Sequence, residues 1–487
     1  MSDSNRVSEV RVRIAPSPSG FLHIGTARAA LFNWLFARHH GGKFLLRIED
    51  TDIQRSSTEM VKTIIDSLKW LGLEPDEPPV YQSQRLNIYK KYIDKLLSSG
   101  KAYRCWCDPE MLKQKQKQAM AEKRQSRYDR TCYHLSEKEK EKNIKSGKPA
   151  AVRLYVPEGE TAFDDLISGN LRRNHKEIDD FIIARSDGRP VYNMAVVVDD
   201  YEMGITHVIR GNDHIFNTFN QILLYDNLGL AKPQFAHLPL ILGTDRSKIS
   251  KRDGAVAVTD YAKMGYLKEA VVNFIALLGW SPGDDREIMT IEELIESFNL
   301  DRVHPTNAIF DINKLNWMNG EYIRKTEDYV LIDLLRPFLV ESGLVTQLFI
   351  NTRWDYMMKF VGLLKGRCRL LTDFISQGFY FFTDEFDYDE KGVKKHFVSI
   401  EVAENLEKWL CVLKNIESFN VESLENALRK LAEKLEIKAS LLIHPTRLAL
   451  TGTTKGPSLF EVMELLGKEK CLLRIEKAIE YIRTKYK

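Results

Sequence analysis

Three short stretches of the chain carry residues whose types and spacing could do chemistry. Residues 15 to 26, APSPSGFLHIGT, crowd two prolines, two glycines and His23 into one loop. Glycines let a ligand approach the backbone, and a helix leaving such a loop aims unpaired amides and its positive dipole end at it, which suits nucleotide phosphates. Taken alone, such a loop is weak evidence for a nucleotide site, and a tight structural turn is the plainer explanation. Residues 247 to 254, SKISKRDG, place Lys248, Lys251 and Arg252 within five residues, with Ser250 between them. Such a set can neutralise charge building on phosphate oxygens during phosphoryl or nucleotidyl transfer; a solvated basic turn is the plain alternative. Cys105-Trp-Cys107, then 24 residues, then Cys132-Tyr-His134 form the third stretch. Two such pairs can converge on one tetrahedral zinc, or remain ordinary reduced cysteines.

The elements around these stretches must hold them in place. Val10, Val12 and Ile14 alternate with Arg11 and Arg13, the period-2 pattern of a strand. Ala27, Ala30, Leu31, Trp34 and Leu35 recur at helical spacing, with Thr26 available as a cap and Gly41-Gly42 as the stop. Lys43 to Glu49 reads as a second strand, so the first loop sits in a βαβ unit at the carboxyl edge of a parallel sheet, where ligands bind. Helices are predicted over Thr58 to Leu71 and Gln84 to Leu97. Strand-like runs return at Phe181 to Ala184, Ala195 to Val198, Val208 to Arg210 and His237 to Leu242, which predicts a parallel sheet interrupted by an insertion of about a hundred residues and then resumed. From Tyr261 onward helical patterns take over, among them Lys268 to Leu278, Trp354 to Leu364 and Ile400 to Leu413.

A chain of 487 residues is too long for one ordinary core, and two to four domains are expected. With 44% hydrophobic and 29% charged residues it has the composition of a globular protein, and no uncharged apolar run approaches the roughly 18 residues a membrane span needs. The start, MSDSNRVSEVRVR, has no apolar stretch, so a cytoplasmic address is expected. Six cysteines are too few for a disulfide framework in so long a chain. The net charge of +3 is uneven: residues 101 to 150 hold 14 Lys or Arg against 7 Asp or Glu, leaving the remainder at −4. That segment is either a solvated charged helix or a surface for a polyanion.

Read together, His23-Ile24-Gly25-Thr26 and Lys248-Ile249-Ser250-Lys251-Arg252 resemble the HIGH and KMSKS signatures of the class I aminoacyl-tRNA synthetases. The chain is most similar to the bacterial-type glutamyl branch, through PSPSGFLHIGT, RIEDTD (47 to 52), VYNMAVVVDDYEMGITHVIRGNDH (191 to 214), SKISKRDG and LALTGTTKGP (448 to 457), all in order. The resemblance implies a Rossmann-like α/β catalytic domain carrying an inserted acceptor-binding domain, followed by an all-α anticodon-binding region. It places the catalytic domain at 1–88 and 192–245, the acceptor-stem-binding insertion at 89–191, the KMSKS loop and stem-contact domain at 246–330, and two helical anticodon-binding domains at 331–395 and 396–487. The implied activity is glutamate activation by ATP with Mg²⁺ and transfer to tRNA(Glu), with tRNA(Gln) left open, by a monomer that binds no membrane.

The resemblance also implies roles. His23, Gly25, Thr26, Lys248, Ser250, Lys251 and Arg252 would bind ATP, with Lys251, Lys248 and His23 stabilising the transferring phosphate. Arg13, Ala15, Ser17, Glu49, Tyr192 and Arg210 would bind glutamate: Glu49 the ammonium, and Arg13, Tyr192 and Arg210 the side-chain carboxylate. Cys105, Cys107, Cys132 and His134 would hold the structural zinc that some members bind and others lack. Three positions depart from the signatures: Thr26 replaces the second histidine, Arg252 the last serine, and Val196 stands where some relatives have asparagine. Rivals are a glutaminyl enzyme, which would lack Arg210, a catalytically silent RNA-binding relative, which would lack His23 or Lys251, and a short relative acting on a modified tRNA base, which would lack the C-terminal helices.

Overall fold

The computed structural model describes residues 9–18, 20–51, 57–122, 127–247, 249 and 257–486. The chain forms two compact units, residues 1–262 with 268–312, and residues 263–267 with 313–487.

In the first unit the strand Arg11–Ile14 leads to the helix Ile24–His39 and returns as the parallel strand Lys43–Ile48, in register from Arg11 opposite Lys43 to Ile14 opposite Leu46. His23, rather than the expected Thr26, is the cap: its Nδ1 accepts from the Gly25 amide at 3.2 Å, while Thr26 lies inside the first turn. The helix ends as anticipated at Gly41, whose φ of +63° suits glycine, and a Cβ at Gly42 would meet the Val10 carbonyl oxygen at 2.2 Å. The helix Thr58–Leu71 is capped by the Ser57 hydroxyl and stopped by Gly72 at φ +77°.

A second sheet, with the parallel strands His207–Gly211 and Gln234–Leu238, lies beside the first. Thr206 joins the halves: its amide donates to the Arg11 carbonyl at 2.9 Å, its hydroxyl accepts from the Arg11 amide at 2.9 Å, and its own carbonyl accepts from Gln234 at 2.9 Å. The strand order therefore reverses between Arg11–Ile14 and His207–Gly211, and the carboxyl ends of these strands face a topological switch point.

Two expectations need correction. Ala195 to Val198 is not a strand but the middle of the helix Tyr192–Glu202. A run of four apolar residues buried on all sides carries no periodicity, so β-branching alone misdirects the reading. Phe181 to Ala184 does not resume the parallel sheet either. Ile182–Ala184 pairs antiparallel with Ala151–Leu154, which pairs with Ala102–Cys105, a small sheet internal to the insertion. The insertion returns to the parallel sheet by another route: in the hairpin Glu160–Asp165 and Gly169–Asn174, Asp165 lies opposite Phe235.

The described part of the second unit beyond residue 313 is helical, including Trp354–Lys365 and Ile400–Lys414 close to their sequence-predicted limits. Arg474, fully buried, fastens it by donating to Asp384 at 2.6 Å and to the carbonyls of Leu450, Tyr380 and Thr383 at 2.6 to 2.9 Å. The segment 448 to 457 ends the helix Ser440–Thr451 and turns at Gly452, φ +71°. Among the described residues no helix is long and apolar enough to cross a membrane.

Because Thr206 alone supplies the side-chain acceptor for the Arg11 amide, Thr206→Val should cost about 1–2 kcal/mol. The urea unfolding midpoint should fall while the denaturant slope is unchanged.

Candidate active site

The carboxyl edge at the switch point gathers residues from five separate segments. The strand Arg11–Ile14 delivers Arg13, its neighbour Lys43–Ile48 delivers Arg47 and, just past the strand's end, Glu49, and the Glu49 amide donates to the Pro16 carbonyl at 3.1 Å, so the loop bearing Ala15 and Ser17 lies against Glu49. Ala15 is half-buried and Ser17 exposed. The helix Tyr192–Glu202 delivers Tyr192 near its start and the consecutive acids Asp199 and Asp200 near its end, about 100° apart around the axis and so facing different neighbours. Asp199 accepts from Gln82, Arg85 and Tyr89 at 2.7 to 3.0 Å. Asp200 accepts from Arg13 Nε at 3.0 Å and Nη2 at 3.3 Å, and from Arg47 Nη1 at 2.6 Å. Arg47 reaches on to Glu49 at 3.3 Å.

Burial alone would raise the Asp200 carboxyl, but Arg13 and Arg47 outweigh it and hold it at about 2. For Glu49 burial wins: its pKa is raised despite Arg47 and Arg13. A buried carboxylate with one long ion pair is a group that gains from an incoming ammonium.

Arg210, at the end of His207–Gly211, is 7% exposed and differs from the other arginines here. Its Nη2 donates to Thr218 Oγ1 and Gln221 Oε1, both at 2.7 Å, and its Nε to His237 Nε2 at 3.4 Å. Its Nη1 has the Tyr192 hydroxyl at 3.5 Å, and that hydroxyl lies 3.1 Å from His214 Nδ1. No carboxylate of a described residue forms an ion pair with it, and burial pushes its pKa down. His214 is likewise held down to about 4, by burial first and by Arg210 next. Tyr192 remains one-third exposed at the mouth, whereas Val196 is buried and brings no polar contact.

At the start of the helix Ile24–His39, His23 and Thr26 are joined Nε2 to Oγ1 at 3.1 Å, both with accessible surface, and a Cβ on Gly25 would press on the His23 ring at 3.2 Å. Lys248, Ser250, Lys251 and Arg252 lie outside the described residues. On the near side, Gly243 and Ser247 close a turn; on the far side, Ala257 bridges His23 and Val258 donates to the Leu22 carbonyl at 3.0 Å.

This architecture has relatives. Residues 9–317 match the family described as tRNA synthetases class I (E and Q), catalytic domain, and residues 330–479 match an anticodon binding domain. The chain is 49% identical to glutamate–tRNA ligase 1 of Caldanaerobacter subterraneus subsp. tengcongensis, over 99% of this chain and 100% of the relative. The chain belongs to the class I glutamyl-tRNA synthetase family. It is also 47% identical to the glutamate–tRNA ligase of Thermodesulfovibrio yellowstonii, covering 97% and 99% of the two chains. A crystal structure of a glutamate tRNA ligase from Elizabethkingia meningosepticum in complex with its amino acid superposes with a TM-score of 0.89 at 34% identity, covering 98% of this chain and 100% of that one. Membership bears out the expected fold class: a class I catalytic domain followed by a helical anticodon-binding region.

The cysteine motif of this synthetase-family chain is brought together only in part. Cys105, Cys107 and Cys132 Sγ atoms lie within 4.8 Å of one another. His134 is exposed and is not among them. The Tyr128 hydroxyl is instead 3.4 Å from Cys105 Sγ and 3.3 Å from Cys107 Sγ, and Arg153 lies over the Tyr128 ring while its Nε points at Cys105 Sγ from 3.4 Å. Three converging thiols are a donor set that a metal ion can share, and the Tyr128 hydroxyl stands beside them. Burial first, with Cys132 and Cys105 alongside, pushes the Cys107 thiol up to about 12. The sequence reading missed Tyr128 because it fixed on paired motifs; Arg47, Asp199 and Asp200 lie inside the quoted stretches 47 to 52 and 191 to 214 but show no pairing until the fold brings them together, and Thr218, Gln221 and His237 lie outside every quoted motif.

Two outcomes follow. Cys107→Ser should lose zinc by elemental analysis, while His134→Ala should retain it in full. A carboxyl depressed in the folded state stabilises the protein above its unfolded pKa of about 4 and loses that contribution as pH falls through the folded value. Between pH 4 and pH 2 Asp200 should therefore withdraw on the order of 2 kcal/mol, and Asp200→Asn should flatten that part of the stability–pH curve.

Proposed function

We propose that Arg210 selects the side-chain carboxylate of L-glutamate and Glu49 its ammonium, so that the α-carboxylate is presented to ATP bound over the His23 loop. As a family member the protein is a glutamate–tRNA ligase, ATP-dependent and AMP-forming. One observation carries the residue assignment: Arg210 is a buried cation whose partners are all neutral, and such a site is completed by an anion. Tyr192 adds a hydroxyl beside Nη1. Arg13 contributes field rather than a free fork, since Asp200 already engages two of its nitrogens.

The chemistry needs no protein nucleophile. An oxygen of the α-carboxylate attacks the α-phosphorus, the bond to the β-phosphate breaks, and pyrophosphate leaves with Mg²⁺. The 2′-hydroxyl of the terminal adenosine of tRNA then attacks the activated carbonyl, losing its proton as AMP departs. The work is positioning and charge stabilisation. His23 and Thr26 face the phosphates, Gly25 leaves room for the adenine, and Lys248, Ser250, Lys251 and Arg252 bear on the phosphates during transfer. The insertion, 89–191, grips the acceptor stem with its basic helix, supported by 246–330, and 331–395 with 396–487 hold the anticodon. The turn after Thr451, with Arg447 just before it, is the RNA-facing loop in this reading. Cys105, Cys107, Cys132 and Tyr128 would hold a zinc that fixes the base of that insertion. The protein acts as a cytoplasmic monomer on tRNA(Glu); tRNA(Gln) is a further substrate to be tested in the same assay.

A glutaminyl specificity is disfavoured because a neutral amide would leave Arg210 uncompensated, and a silent RNA-binding role is disfavoured by the retention of His23 and Lys251. ATP–pyrophosphate exchange tests the reading. Exchange is expected with glutamate, only once tRNA is added, and not with glutamine. Arg210→Gln should lower kcat/KM for glutamate about 100-fold or more, the order expected for losing a buried charged hydrogen bond. Exchange with glutamine alone would overturn the assignment.

A further inference from the structure

Arg210 is held from behind by a relay that begins in the inserted segment. Asp165, last residue of the strand Glu160–Asp165, has its Oδ2 2.6 Å from His237 Nδ1; both side chains are fully buried. Its Oδ1 accepts from the amides of Ile167 and Ser168 at 3.0 and 2.8 Å, which fixes the carboxylate in one orientation. On the far side of the imidazole, Nε2 is 3.4 Å from Arg210 Nε and 2.9 Å from Thr218 Oγ1, the hydroxyl that accepts from Arg210 Nη2. A guanidinium can only donate and an ionised carboxylate can only accept. The one imidazole state that satisfies both neighbours is neutral, with its proton on Nδ1 and a lone pair on Nε2 facing Arg210.

We propose that Asp165 and His237 are positioning residues for amino-acid specificity: Asp165 fixes the His237 tautomer, and the Nε2 lone pair so aimed holds the Arg210 guanidinium with Nη1 turned to the substrate carboxylate. This inference rests on the reading of Arg210 given above. An amide in place of Asp165 presents a donor to Nδ1 as readily as an acceptor. It therefore permits the proton to move to Nε2, where it would oppose Arg210 Nε donor to donor and turn the fork away from the pocket. Thr218 and Gln221 would still solvate the cation, so the arginine stays buried but misaimed. The hairpin bearing Asp165 belongs to the insertion, which makes that segment a contributor to the amino-acid pocket as well as to the proposed RNA surface.

The test combines steady-state exchange kinetics of the full-length protein, with tRNA present, and nitrogen-15 imidazole shifts of histidine-labelled protein. His237 is assigned by loss of its signal in His237→Gln. Wild type is expected to carry the His237 proton on Nδ1, and D165N on Nε2. D165N should raise KM for glutamate tenfold or more, with KM for ATP and kcat changed less than threefold. H237Q can offer its amide oxygen to Arg210 whatever stands at 165, so the double variant D165N/H237Q should recover most of the lost glutamate affinity. A purely structural role for the dyad predicts no such rescue. The proposal is overturned by a wild-type proton on Nε2, by a glutamate KM in D165N within twofold of wild type, or by a double variant no better than D165N. The Arg210 reading fails separately, if Arg210→Gln leaves the glutamate KM unchanged, and the tautomer measurement needs no turnover at all.

Discussion

The structure of the first unit turns on one shared carboxylate, Asp200, held between Arg13 and Arg47. Both arginines belong to strands whose neighbouring residues are core, and Arg47 has no exposed surface at all. Taking a guanidinium out of water costs several kcal/mol even after relaxation, so two adjacent strands can each bury one only where an acid is supplied from elsewhere. The helix Tyr192–Glu202 supplies it, and supplies a second acid, Asp199, to Arg85 and Tyr89 on the other side. That helix cannot rotate without abandoning one set of partners, and its first residue, Tyr192, is thereby fixed at the pocket mouth.

The same arrangement separates two kinds of arginine. Arg13 and Arg47 are neutralised by Asp200 and Glu49, and serve to hold strands, helix and acid in register. Arg210 is solvated by a hydroxyl, an amide oxygen and an imidazole nitrogen, groups that satisfy its hydrogens without cancelling its charge. A pocket containing one surplus cation and one long-paired carboxylate, Glu49, is complementary to a zwitterion bearing an additional carboxylate.

Much of this was legible in the sequence and some was not, for reasons that lie in the residues. The first βαβ unit, the span of the helix Thr58–Leu71 and the C-terminal helices were readable because local periodicity agrees there with the tertiary answer. Ala195 to Val198 was misread because complete burial erases the pattern that distinguishes strand from helix. Thr26 was taken as a cap because hydroxyl residues usually cap, yet the imidazole of His23 reaches the Gly25 amide first. Arg13, Glu49, Tyr192 and Arg210 were found through motif resemblance, and the fold gathers them at one sheet edge. Asp165 and His237 lie 72 residues apart in unremarkable strands, so nothing short of their pairing could reveal them. Tyr128 escaped notice because a tyrosine is not counted among expected metal ligands, although its hydroxyl lies within 3.4 Å of both Cys105 and Cys107 Sγ.

Discrimination between a carboxylate and an amide of the same shape depends less on adding contacts than on withholding one. If an acid stood beside Arg210, the guanidinium would be neutral to the substrate, and glutamate and glutamine would differ by little more than one hydrogen bond. In the proposed reading of Arg210, whose described partners are all neutral, a carboxylate completes the site and an amide leaves the charge buried and uncompensated. The imidazole of His237 is suited to this task because it can accept from the guanidinium while remaining uncharged, provided its other nitrogen keeps the proton. The Asp165 carboxylate secures that condition from two atoms beyond, far enough for the imidazole to stand between it and Arg210.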